Sequence, residues 1–136
     1  HPHYLSTMAG RLRHADLVGE FGAKYYYIRH NKWRHRHFQE QHASLCRTGM
    51  TRAVLPTLLD CSAGHHPSVD LRLWANWKGS KLSWIDEVGN QSLCVGIKGV
   101  RGRQSSGWRP VRDAKSDPDG SVLRLWVGDD SKHYRA

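Results

Sequence analysis

A chain of 136 residues has room for one hydrophobic core and not for two ordinary domains. With 21 Lys/Arg against 12 Asp/Glu it carries a formal charge of +9, an excess that points to a polyanionic partner, either nucleic acid or an anionic membrane surface. No apolar run approaches the ~18 residues that a bilayer-spanning helix needs, and three cysteines are too few for a disulfide scaffold.

From Leu5 to Phe21 the apolar residues Leu5, Met8, Leu12, Ala15, Val18 and Phe21 recur at helical spacing, which predicts an amphipathic helix ended at Gly22. Tyr25 to Ile28 is aromatic and β-branched and predicts a short strand. Asn31 is a candidate cap for a second helix reaching Arg47, and Thr51 to Leu59 predicts a third, bent or ended early by Pro56. Residues 60–67 read as a loop. The period then changes: Val69, Leu71, Leu73, Ala75 and Trp77 alternate with Asp70, Arg72, Trp74 and Asn76, which predicts a half-buried strand. Lys78-Gly79-Ser80 turns the chain into a strand over Leu82–Ile85, and Gly89-Asn90 into another over Leu93–Val100. Asp117-Pro118-Asp119-Gly120 is a turn by its residue types, and Ser121 to Val127 reads as the last strand. This order predicts an α+β fold in a single domain, with residues 5–60 mainly helical and packed on an antiparallel meander formed by residues 68–128.

The most informative stretch is Lys24 to His42, which holds five Lys/Arg, four His, three Tyr, a Trp and a Phe against one acid, Glu40. Cations alternating with flat rings suit a single-stranded nucleic acid, charge meeting phosphates and π-faces meeting unstacked bases. A second zone, Lys98 to Lys115, carries six Lys/Arg with Asp113 as counter-charge, and glycines punctuate it around Trp108. The expected contacts are Lys24, Arg29, Lys32, Trp33, Arg34 and Arg36 from the first zone, with Arg101, Arg103, Trp108, Arg109 and Arg112 from the second. RNA or single strands fit better than duplex DNA, because no recognition-helix motif is present.

Two other chemistries are compatible with the residues. His42 and Cys46, then Cys61 and His65, form a His-x3-Cys and Cys-x3-His set that offers zinc two nitrogens and two sulfurs, provided His42 and Cys46 share a helix face. A Cys46–Cys61 disulfide or free thiols are the competing expectations. His30, His35 and His37 lie among cations, and a histidine pair beside a cation suffices for acid–base cleavage of RNA. A nuclease is therefore the alternative to a non-catalytic binding domain. A protein–protein module, viral or secreted, is a third, since six Trp can furnish an aromatic interface. The chain opens at His1, with Met8 its first methionine. A processed precursor, a mature secreted chain and residues carried over from a vector all share that start, while the cysteine usage favours a reducing compartment.

Overall fold

The computed structural model describes residues 3–37, 42–64, 68–84, 94–100 and 112–134. Its elements in chain order are α1 (Tyr4–Arg11), β1 (Leu17–Glu20), β2 (Gly22–Tyr27), β3 (Lys32–His37), β4 (Thr48–Met50), α2 (Leu55–Ser62) and α3 (Val69–Asn76). These are followed by β5 (Lys81–Trp84), β6 (Val95–Lys98), β7 (Lys115–Ser116), α4 (Ser121–Val127) and α5 (Ser131–Tyr134). The protein thus combines helices with mixed sheets. It divides into two compact units, one of residues 1–22 and 37–94 and the other of 23–36 and 95–136.

The first unit is built around β1, the middle strand of a three-stranded sheet ordered β4-β1-β5. It runs antiparallel to β4 and parallel to β5, with Leu17 opposite both Met50 and Lys81. Every residue of β1 is buried, so successive side chains feed two different cores. Leu17 joins Ala43, Val54, Leu73 and Trp74 on one face, while Val18 joins Met8, Ala15 and Trp84 on the other. Each fully buried Leu or Val contributes about 1.5–3 kcal/mol relative to exposure. Gly19 is required by packing: a Cβ there would lie 2.5 Å from both the Ala43 Cβ and the Trp74 ring. Asp16 pins the strand starts, accepting from Thr51 Oγ1 at 2.8 Å and from Ser80 Oγ at 2.9 Å.

At the end of β1 the chemistry turns polar. Glu20 is wholly buried and Arg47 nearly so. The Arg47 guanidinium donates to the carbonyl of Gly22 and, at 2.9 Å, to Ser44 Oγ. Burial pushes the Tyr4 phenol far up, helped by the negative charge of Cys94 and Glu20 and opposed by Arg47. The Cys94 thiol is raised as well, by burial first and then by Cys46.

The second unit holds a four-stranded sheet ordered β6-β2-β3-β7. β2 and β6 are parallel, pairing Lys24 with Val95 and Tyr27 with Lys98, while β3 and β7 are antiparallel, pairing Trp33 with Lys115. Asn31 takes a left-handed conformation (φ 46°) in the turn that leads into β3, and its carbonyl accepts from the Asp117 amide at 2.7 Å.

Several sequence expectations are corrected. Helices and strands are interleaved instead of falling into a helical and a strand half, and no antiparallel meander forms among the described residues, since β1–β5 and β2–β6 are parallel pairs. The expected first helix stops at Arg11, and of its later apolar positions Val18 belongs to β1, where burial on both faces outweighs helical spacing. The expected helix from Asn31 to Arg47 begins instead as β3, whose Lys32-Trp33-Arg34-His35 alternation is satisfied by pairing with β7. Residues 69–77 are the reverse case. An alternating set contains positions 69, 73 and 77, which also share a helix face, and burial of the neighbours Leu73 and Trp74 decides for α3. Ser121–Val127 is α4 rather than a strand: Leu123 is wholly buried and Leu125 is 81% exposed, whereas a strand would place both on one face. Pro56 sits in the first turn of α2, which it starts rather than ends.

Candidate nucleic-acid interface

The four-stranded sheet gathers residues from both basic zones. Lys24, Lys32, Trp33 and Arg34 come from the first, and Lys98 and Lys115 come from the two ends of the second. The pairing of β2 with β6 and of β3 with β7 makes them neighbours, although the zones lie far apart along the chain.

Alternation along β3 sends Trp33 and His35 to one face, where both meet Trp126 of α4. The three rings form a closed set. Trp33 lies 5.4 Å from Trp126 at 82° and 5.5 Å from His35 at 65°, and His35 lies 5.4 Å from Trp126. The two edge-on contacts of Trp33 are favoured by the ring quadrupoles and add about 0.5–1.5 kcal/mol each beyond area burial. All three rings are half-buried. Two ammonium groups flank them: Lys115 Nζ is 5.0 Å from the Trp33 ring centre, and Lys24 Nζ is 5.6 Å from that of Trp126. Lys24 is 9% exposed, so its contact is held in place, whereas Lys115 is exposed and its cation–π contact is worth about 0.5–1 kcal/mol.

What fixes this cluster is the turn before α4. Asp117, 2% exposed, accepts from the Tyr26 hydroxyl at 2.8 Å and from the amides of Val122 and Leu123 at 3.2 Å each. One carboxylate therefore satisfies the otherwise open first turn of α4 and ties it to β2. Gly120, at φ 67°, lets the chain turn from Asp117 into the helix. Asp119 beside it is held below the usual carboxylate range by the Ser121 backbone amide and hydroxyl.

Other expected contacts are arranged differently. Arg34 alternates away from the ring cluster and donates to Asp113 at 3.1 Å; the arginine side chain is 13% exposed and the aspartate 71%. Its Nε is buried without a hydrogen-bond partner. On β2 and β6, Lys98 Nζ lies 5.0 Å from the Tyr25 ring centre. Arg29 donates from Nε to the Gly99 carbonyl at 2.9 Å, and Arg112 is exposed. Arg36 and His37 close β3, and their side chains lie outside the described residues, as do Arg101, Arg103, Trp108 and Arg109. Trp126 and Lys115 were not among the expected contacts. Lys115 lies inside the second basic zone, but its relation to Trp33 depends on a strand pairing that has no local signal.

The histidines and cysteines are spread out. His30 is exposed in the turn before β3, while His35 belongs to the ring cluster. His42 Nε2 lies 3.8 Å from Asp70, Cys46 sits in a 3₁₀ turn 3.3 Å from Ser44 Oγ, and Cys61 is buried on α2 near the Asn76 amide. The helix that was to bring His42 and Cys46 onto one face is absent, because Leu45–Arg47 is a single 3₁₀ turn. His65 lies outside the described residues, and among those described no group of three or more His, Cys, Asp or Glu is placed to hold a metal. Cys46, Cys61 and Cys94 are thiols rather than disulfides. No described helix is long and apolar enough to cross a membrane.

Comparison with known proteins finds no match for this chain among family models, curated proteins or solved structures.

Proposed function

We propose that the protein is a non-catalytic RNA- or single-strand-binding module and that the sheet of its second unit is the binding surface. The observation carrying this reading is the meeting, on one sheet, of Lys24, Lys32, Trp33 and Arg34 from the first basic zone with Lys98 and Lys115 from the second. Cations beside half-exposed rings offer a single strand both phosphate neutralisation and surfaces for stacking. The net charge of +9 adds long-range attraction for any polyanion.

Fluorescence anisotropy of a labelled single-stranded RNA at low and physiological salt tests the reading. Binding should weaken steeply with salt, and Ala at Arg34, Arg36, Arg101 and Arg103 should flatten the log–log slope by about 0.7 for each phosphate left without its cation. Affinity unchanged by the four substitutions rejects the two basic zones as the contact. Recovery of shortened RNA from the same samples would replace the binding module with a nuclease.

A further inference from the structure

We infer that Trp33 is a stacking platform for one unpaired base and that Lys115 is its exchangeable cover; this rests on the nucleic-acid reading above. The rings of His35 and Trp126 both meet Trp33 edge-on, at 65° and 82°, so neither neighbour lies flat on the indole. The ammonium of Lys115 lies over it at 5.0 Å. Lys115 is exposed, and pairing of β7 with β3 keeps its backbone opposite Trp33 wherever the side chain goes. A base that stacks on Trp33 therefore displaces a weakly held cation, which remains close enough to take the phosphate beside that base. Stacking of a base on an aromatic side chain is the stronger of the two interactions.

The charge around the rings selects the class of ligand. Lys24 and Lys115 already bring two ammonium groups to Trp126 and Trp33, so a further cation, such as a methylated lysine, would be repelled. A flat group joined to an anion is favoured, and a nucleotide within a single strand has that composition. The two lysines divide the work. Lys24 is buried and steadies Trp126, while Lys115 is exposed and able to exchange partners.

The test compares an oligouridine with an abasic strand of the same length and charge, using the full chain and its Trp33→Ala and Lys115→Gln variants. The parent should bind oligouridine about tenfold more tightly than the abasic strand, and Trp33→Ala should remove that preference while leaving abasic binding unchanged. Lys115→Gln should lower the salt slope on both strands by the share of about one phosphate and keep the preference for bases. Trp33→Phe replaces the alanine variant if circular dichroism shows the latter unfolded, and it should narrow the preference without abolishing it. Equal, salt-dependent binding of both strands by the parent overturns the stacking platform and leaves the electrostatic reading intact. Failure to bind either strand overturns the functional reading itself.

Discussion

Strands β1 and β2 follow one another along the chain with only Phe21 between them, yet the units they serve are held together by different means. Around β1 the packing is apolar on both faces, with Leu17, Val18, Leu73 and Val54 wholly buried. Around β2 and β3 the joints are a buried phenol–carboxylate hydrogen bond, three rings in mutual contact with Trp33 met edge-on by the other two, and ammonium groups on their surfaces. Apolar burial stabilises without direction, whereas hydrogen bonds and ring contacts fix orientation and leave polar atoms near the surface. By this criterion the first unit is a packed scaffold, and the second holds its charged and aromatic groups through oriented contacts.

The comparison can be broken most forcefully from the scaffold side. Trp74→Ala should cost about 3–5 kcal/mol, because it empties the space against Gly19 and Leu17. Urea denaturation followed by far-ultraviolet circular dichroism measures this, and a loss under about 1 kcal/mol would deny the apolar core its assigned role. Asp117→Ala should cost about 2 kcal/mol by orphaning the Tyr26 hydroxyl and the first amides of α4. Amide exchange should report that effect in α4 before it reaches β1. If α4 stays protected, the carboxylate is not the joint.

Gly19→Ala tests the packing from the other direction, since the added methyl meets Trp74 and Ala43 at 2.5 Å; about 1–3 kcal/mol of destabilisation is expected in the same urea titration. A smaller effect sharpens the contrast through pH. Cys94 and Tyr4 hold their protons more tightly in the folded state than in the unfolded chain, so the unfolded chain ionises first. Stability should be full below the ordinary thiol value of about 8.5 and should fall as pH rises beyond it. Denaturation midpoints measured from about pH 7 to about pH 10.5 span the ordinary thiol and phenol values and give the sign. Cys94→Ser should remove the earlier part of the fall and Tyr4→Phe the later part. Smallest of all, Lys115→Gln should lower stability by about 0.5–1 kcal/mol, the worth of its exposed cation–π contact with Trp33. Thermal melting of the variant checks this directly.

Local chemistry made some of this architecture legible and concealed the rest. The turn at 117–120, the strands near Tyr25, Leu82 and Val95, and the helical character of residues 55–59 all follow from residue types acting locally. Residues 69–77 and 121–127 misled, because an alternating apolar set also satisfies part of a helical one. Only knowledge of what covers Trp74 and Leu123 separates the two. β3 was hidden by its polarity, since its partner β7 is two residues long and distant in sequence. The basic and aromatic residues of the candidate surface were visible from composition. The ring cluster was not, because Trp126 reaches Trp33 and His35 only once α4 forms.

The parallel pairings also dictate an order of events in biosynthesis. β1 and β2 leave the ribosome before their parallel partners β5 and β6, which lie far downstream. Neither sheet has its full set of strands until β5 and Lys98 have emerged, and β7 and α4 come later still. Until then the apolar faces of Leu17 and Val18 lack part of the cover they have in the finished protein. Long-range closures of this kind slow folding and prolong the exposure of strand edges. Truncation anywhere before β5 therefore yields a product that cannot complete either sheet.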